Sequence, residues 1–248
     1  MAGRHGSPVV THHPAAVVTR SAIRTPRAAA VAGILFAVLL TTTFVLLRWA
    51  LPSDTESAGD WLDDGGRQDA VVLALNLLPF AGLAFLWFIG VIRDRIGAGE
   101  DRFFATVFLG SGLLMIAMLF TGGAVAGGLL LSDDSAGVPA SEMWSFGRRV
   151  TLTLLQVYAM RMAAVFTIST TTIAARLGLV PRWLVVFGTV TGLVLLLSAG
   201  YVPWLELIFP VWVFVLSMHI LLTTFGSTNQ PLPVPEPPSG STNGRSTP

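Results

Sequence analysis

Arg161 is the side chain in this sequence with the strongest claim to chemistry. It stands inside the run TLTLLQVYAMRMAAVFTIST and is the one charge between Arg149 and Arg176. It lies twelve residues past Arg149, about 18 Å along a helix that rises 1.5 Å per residue, which puts it near the centre of a membrane. A charge at that depth costs about 2.5 kcal/mol or more on insertion scales, so it faces a protein interior and has a partner. Two readings follow. Arg161 binds something anionic, or it is a buried arginine tied to a carboxylate, amide or carbonyl that fixes helix packing. Glu206 is the only acid inside the start of an apolar run, and Arg161 could snorkel toward it. Tyr158, three positions earlier, occupies a neighbouring part of the same helix face. Asn76 lies roughly 10 Å deep in another apolar run at the helical rise.

Proline placement gives a second clue, because a proline inside a helix leaves the carbonyl four residues earlier without its donor. Pro79 frees the carbonyl of Leu75, beside Asn76, and Pro210 frees that of Glu206. A polar side chain next to a freed carbonyl is tolerated in a membrane only where protein or a wet cavity satisfies both. The expectation is an outward-facing polar pocket built from Asn76, Tyr158, Arg161 and Glu206. The plainer alternative is that both prolines are ordinary kinks.

Other polar residues read as structural. The run Thr167, Ser169, Thr170, Thr171 and Thr172 is expected to bond back one turn or across to a neighbouring helix, and Gln156 to do the same. His219, well inside the last apolar run, is expected to act as a packing donor, with proton relay as the alternative. Gly123 with Gly127, and Gly188 with Gly192, form GxxxG pairs that let backbones approach. They serve either packing within the bundle or a contact with a membrane-protein partner or a second copy. Asp63, Asp64, Asp133 and Asp134 read as solvated loop charge, with no calcium-loop spacing. The sequence holds no cysteine, and HExxH, Walker A, dinucleotide and GxSxG motifs are absent, so the expectation is no enzyme, no metal and no cofactor.

The elements that must position these residues follow from composition. The chain is 53% hydrophobic and 12% charged, too apolar to coat a soluble globule of its length. Apolar stretches near the 20 residues needed to cross a bilayer run at 28–51, 70–92, 103–131, 150–175, 183–201 and 204–224. The third is overlong, which suggests an extramembrane turn. The fold class is therefore all-α, an integral membrane bundle of six transmembrane helices over residues 28–224. A disordered basic tail is expected at 1–27 and a disordered Pro-rich tail at 225–248.

Charge sorts by side. The tails and alternate loops carry ten arginines against four acids, while the intervening loops carry Arg48, Arg67, Arg148 and Arg149 against ten acids. By the positive-inside rule both termini face the cytoplasm. Trp49, Trp144, Tyr201 and Trp204 fall at expected outer boundaries and Trp183 at an inner one, as amphipathic rings prefer. Net charge near zero gives no reason to expect nucleic acid, and the lipid bilayer is the obligatory partner.

The stretch Ala175-Arg-Leu-Gly-Leu-Val-Pro-Arg-Trp-Leu, and the run Phe85-Leu-Trp-Phe-Ile-Gly-Val-Ile-Arg-Asp-Arg-Ile-Gly, resemble multi-pass bacterial membrane proteins of domain-of-unknown-function type. The resemblance covers about residues 28–224. It implies six spans and residence in a bacterial plasma membrane, and carries over no activity or site residue. Two functions stay open. One is a non-enzymatic protein acting through helix or loop contacts with membrane partners, and the other is a small transporter or receptor for an anionic or polar solute at Arg161.

Overall fold

The computed structural model describes residues 26–51, 65–96, 102–130, 140–198 and 202–226. The acidic loop residues Asp63, Asp64, Asp133 and Asp134 lie outside these, as do the expected tails except at 26–27 and 225–226, which are helical and not disordered because the first and last helices run past the expected boundaries. Among the described residues the chain is all helical, with no strand. The helices are α1 (Pro26–Ala50), α2 (Gly65–Ile96), α3 (Arg102–Leu130), α4 (Ala140–Leu152), α5 (Ala159–Arg176), α6 (Arg182–Ser198) and α7 (Ile208–Gly226). A π-helical turn, Thr153–Tyr158, joins α4 to α5 as one continuous rod, and a 3-10 turn, Leu205–Leu207, leads into α7.

Five of these units are long and apolar enough to cross a membrane, and the chain is built as a multi-pass membrane protein. α6 has 17 residues, about 25 Å, somewhat less than a hydrocarbon core of roughly 30 Å. The overlong third stretch contains no turn, since α3 runs unbroken over 29 residues. Two segments read as loop are helical: the start of α2 from Gly65, and α4. α4 is polar and amphipathic, so membrane-length hydropathy passes over it, yet Trp144 and Gly147 on one face are buried, Gly147 against Leu129 at the end of α3.

The helices form a closed ring in chain order. α1 packs on α2, α2 on α3, α3 on α4 and α5, α5 on α6, α6 on α7, and α7 back on α1. Its axis is filled by aromatic rings. Phe36 of α1 meets Phe85 of α2 at 4.5 Å between centroids, Phe166 of α5 lies 5.0 Å from both Phe85 and Phe108, and Phe209 and Trp212 of α7 close the cluster at 6.3 and 6.4 Å from Phe166. All seven rings, Phe88 included, are essentially fully buried. Quadrupoles favour such tilted, edge-on and offset-stacked pairs.

The π turn has a packing cause. Buried positions along this rod fall at 147, 151, 155, 159 and 163, a four-residue repeat that an α-helix of 3.6 residues per turn would rotate off its neighbour. A wider turn keeps them facing α3. Room for it comes from Gly122, whose missing Cβ would lie 3.0 Å from Leu155 and 3.3 Å from Leu154.

Both GxxxG pairs are occupied from within the chain. Gly123 and Gly127 receive Leu78 and Leu75 of α2, Gly188 receives Thr171 and Trp212, and Gly192 receives Ile168. A Cβ at Gly188 would crowd Thr171 Oγ1 and approach Trp212 Nε1 to 2.8 Å, whereas one at Gly90 would meet open space. Gly188→Ala is therefore expected to lower stability by about 1–3 kcal/mol through overpacking, and Gly90→Ala to leave it unchanged. Thermal denaturation of both variants in the same detergent separates them, and equal melting would deny the close α5–α6 approach.

Candidate functional site

Glu206 sits in the 3-10 turn ahead of α7 and is 5% exposed. A carboxylate so placed needs a cation, and its partner is Arg48 in the last turn of α1, with Nη1 2.8 Å from Oε1. The expected pairing of Glu206 with Arg161 does not occur. Arg48 also lies over the ring of Trp204, 5.0 Å from guanidinium carbon to centroid. Trp204 holds φ of 68°, and it is the one non-glycine residue with positive φ among those described. That conformation costs roughly 1–2 kcal/mol for a side chain with a Cβ. It turns the chain into Leu205–Leu207 and is tied down by the Leu207 N–H donating to the Trp204 carbonyl at 3.1 Å. The ion pair and the cation–π contact thus clamp the adjacent ends of α1 and α7, the first and last helices of the ring.

Sequence reading missed Arg48 because it was counted among loop charges. The signal was present: Arg48 and Glu206 fall at the same expected membrane boundary, and a buried acid takes the cation that reaches it at least desolvation cost. Pro210 also differs from expectation. It is the third residue of α7, where the missing N–H is one that the helix leaves unpaired anyway, so it starts the helix rather than kinking it. Pro79 is inside α2 and borders a cavity of about 280 Å³ with Leu75, Leu78, Phe120 and Gly123.

The remaining expected residues do not gather round Glu206. Asn76 is exposed on α2, and its Nδ2 donates to the Val72 carbonyl of its own helix at 2.8 Å. Tyr158 is 52% exposed at the end of the π turn. The four side chains thus occupy three places: the α1–α7 clamp, the surface of α2, and one edge of α5.

Arg161, on that edge, is partly buried, and its side chain makes no hydrogen bond, ion pair or ring contact with any described residue. None of the four cavities described is lined by it. Its depth follows from the α5–α6 register. Gly188 lies against Thr171, and Gly192 against Ile168 and the Ala164 carbonyl. One turn beyond Ala164, Arg161 is level with the final turn of α6, which stops at Ser198. Counted from Arg176, fifteen residues away, it stands about 22 Å along the rod. If Arg176 and Arg182 mark one boundary of a core of roughly 30 Å, Arg161 lies in the third farther from that boundary.

The other polar groups are structural. Thr167, Thr170 and Thr172 donate to the carbonyls of Ala163, Phe166 and Ile168, one turn earlier. His219 sets its ring edge-on to Trp183, 6.5 Å between centroids. Thr171 Oγ1 is buried without a partner beside a water-sized space of about 10 Å³ bordered by Trp212. Among the described residues no three His, Asp or Glu side chains group as metal ligands would. The site residues can neutralise one another or hold an anion, and they supply no nucleophile with a base beside it. No protein-family model, no curated protein and no solved structure matches this chain.

Proposed function

We propose that this chain is a non-enzymatic membrane protein that acts through helix or loop contacts with membrane partners. In this reading it resides in a bacterial cytoplasmic membrane with six spans, α6 being the short one, and with both termini in the cytoplasm. The observation that supports it is the aromatic cluster on the ring axis. A solute pathway or a buried catalytic pocket needs polar groups and space on that axis, and side chains of Phe36, Phe85, Phe166 and Phe209 occupy it instead. The face offered to partners is at the Trp204 end of the bundle, where α4 carries Phe146, 68% exposed, and Met143, 40% exposed.

Photocrosslinking in intact membranes tests this. A benzophenone side chain at Phe146 is expected to give one discrete protein adduct, and the same probe at lipid-facing Phe80, 63% exposed on α2, to give lipid adducts alone. Absence of a protein adduct at Phe146 and at Met143 would reject the reading. A second reading, a transporter or receptor for an anionic or polar solute, draws on the unpaired charge of Arg161. Solute uptake by proteoliposomes that is lost in Arg161→Ala would favour it over the first.

A further inference from the structure

We infer that Arg161 and Tyr158 form a binding site for the phosphate of a phospholipid headgroup, in the leaflet at the Trp204 end of the bundle. The inference takes its orientation from the six-span arrangement above, but does not depend on protein partners. Three observations carry it. The guanidinium has no acceptor among the described residues, and Glu206, the partner expected from the sequence, is held by Arg48. A guanidinium in hydrocarbon needs an acceptor, and here that acceptor comes from beyond the described residues.

Position then selects the acceptor. Side chains on a helix lean toward its N-terminus, and for α5 that is the direction of the π turn and the Trp204 end. From a backbone about 8 Å inside the boundary, an extended arginine reaches headgroup level, which is ordinary snorkelling. α6 ends at the same level, and among the described residues it does not extend along α5 beyond that point. Residues 158, 161, 165 and 172 are all exposed or partly exposed. Their spacing of three, four and seven places them on one stripe at the border of the α5–α6 seam. Tyr158, one turn nearer the boundary, is 52% exposed and makes no hydrogen bond to a described residue. Its ring has the amphipathic character of the interfacial belt and its hydroxyl can donate to the same phosphate. A partner helix bearing a carboxylate would satisfy the charge but would leave unexplained why the arginine stands at headgroup reach and not at mid-span.

Full-length protein in detergent, titrated with phosphatidylglycerol and read by native mass spectrometry, tests the site. Wild type is expected to retain one lipid under activation that strips the rest. Arg161→Ala should bind it about fivefold more weakly, the effect of one basic residue at an anionic surface, Arg161→Lys should retain most of the binding, and Tyr158→Phe should lose a smaller part. Excess inorganic phosphate should not displace the lipid. Equal retention by Arg161→Ala and wild type overturns the site. So does complete displacement by inorganic phosphate, which would make it a solute pocket, or an Arg161-dependent protein adduct from a benzophenone at Val165. Melting temperatures of the Ala and Lys variants guard against misfolding: loss of lipid in a variant that melts with wild type supports the site, and lipid loss only in step with unfolding overturns it. Crosslinking at Phe146 reports on the partner reading separately, so either can fail alone.

Discussion

Glu206→Ala is expected to destabilise the bundle by about 3 kcal/mol, the low end for removing one member of a buried ion pair. Arg48 is 21% exposed, so water or headgroups would recover part of the cost of leaving it unpaired, which keeps the estimate low. The loss has three parts: the bond of 2.8 Å, the uncompensated guanidinium, and a freer Trp204 turn. Removing both charges should cost much less, because two apolar side chains of similar volume pack where the pair was, and desolvation of two ions is no longer required. The measurement is a double-mutant cycle of Arg48→Met and Glu206→Leu, unfolded reversibly in mixed micelles. Additive losses would show that the pair is not coupled. Arg161→Ala in the same assay should have no coupling to Glu206.

Phe166→Ala is expected to be the most damaging substitution on the ring axis, at about 3 kcal/mol. The usual range for a buried Phe→Ala is about 3–5 kcal/mol, made of a transfer term and a cavity term. In a bilayer the unfolded side chain rests in lipid, so the transfer term shrinks and the void dominates. Phe166 meets Phe85, Phe108, Phe209 and Trp212, and no single neighbour can fill the space it vacates. Phe80→Ala, on the exposed face of α2, is the matched control and should be near neutral. Equal thermal shifts for the two variants would mean that the axis is loosely packed, and would reopen a solute path through it.

Sequence by itself determined the all-α class and the positions of the apolar helices. Long runs of Leu, Val, Ala and Phe exceed the length of a bilayer, and backbone groups in lipid are satisfied only within a helix or closed barrel. It also singled out Arg161 and Glu206, since a charge within an apolar run is expensive wherever it falls. Back-bonding by Thr167, Thr170 and Thr172 was legible because it is local to one turn, whereas Thr171 Oγ1 is buried without a partner.

Tertiary structure decided the rest. Pairing of Glu206 with Arg48 joins residues 158 positions apart, and nothing local states which of several arginines will be nearest. The ring order of the helices set that distance. The placement of Arg161 level with the last turn of α6 likewise depended on tertiary structure, since the glycines of α6 fix its register against α5. The π turn left only a four-residue spacing of buried positions in the sequence, a pattern whose meaning appears once Gly122 of α3 is seen opposite it. Hydropathy measures each helix against lipid. Which charge meets which, and at what depth, depends on helix against helix, where packing distances of a few ångströms select the partner.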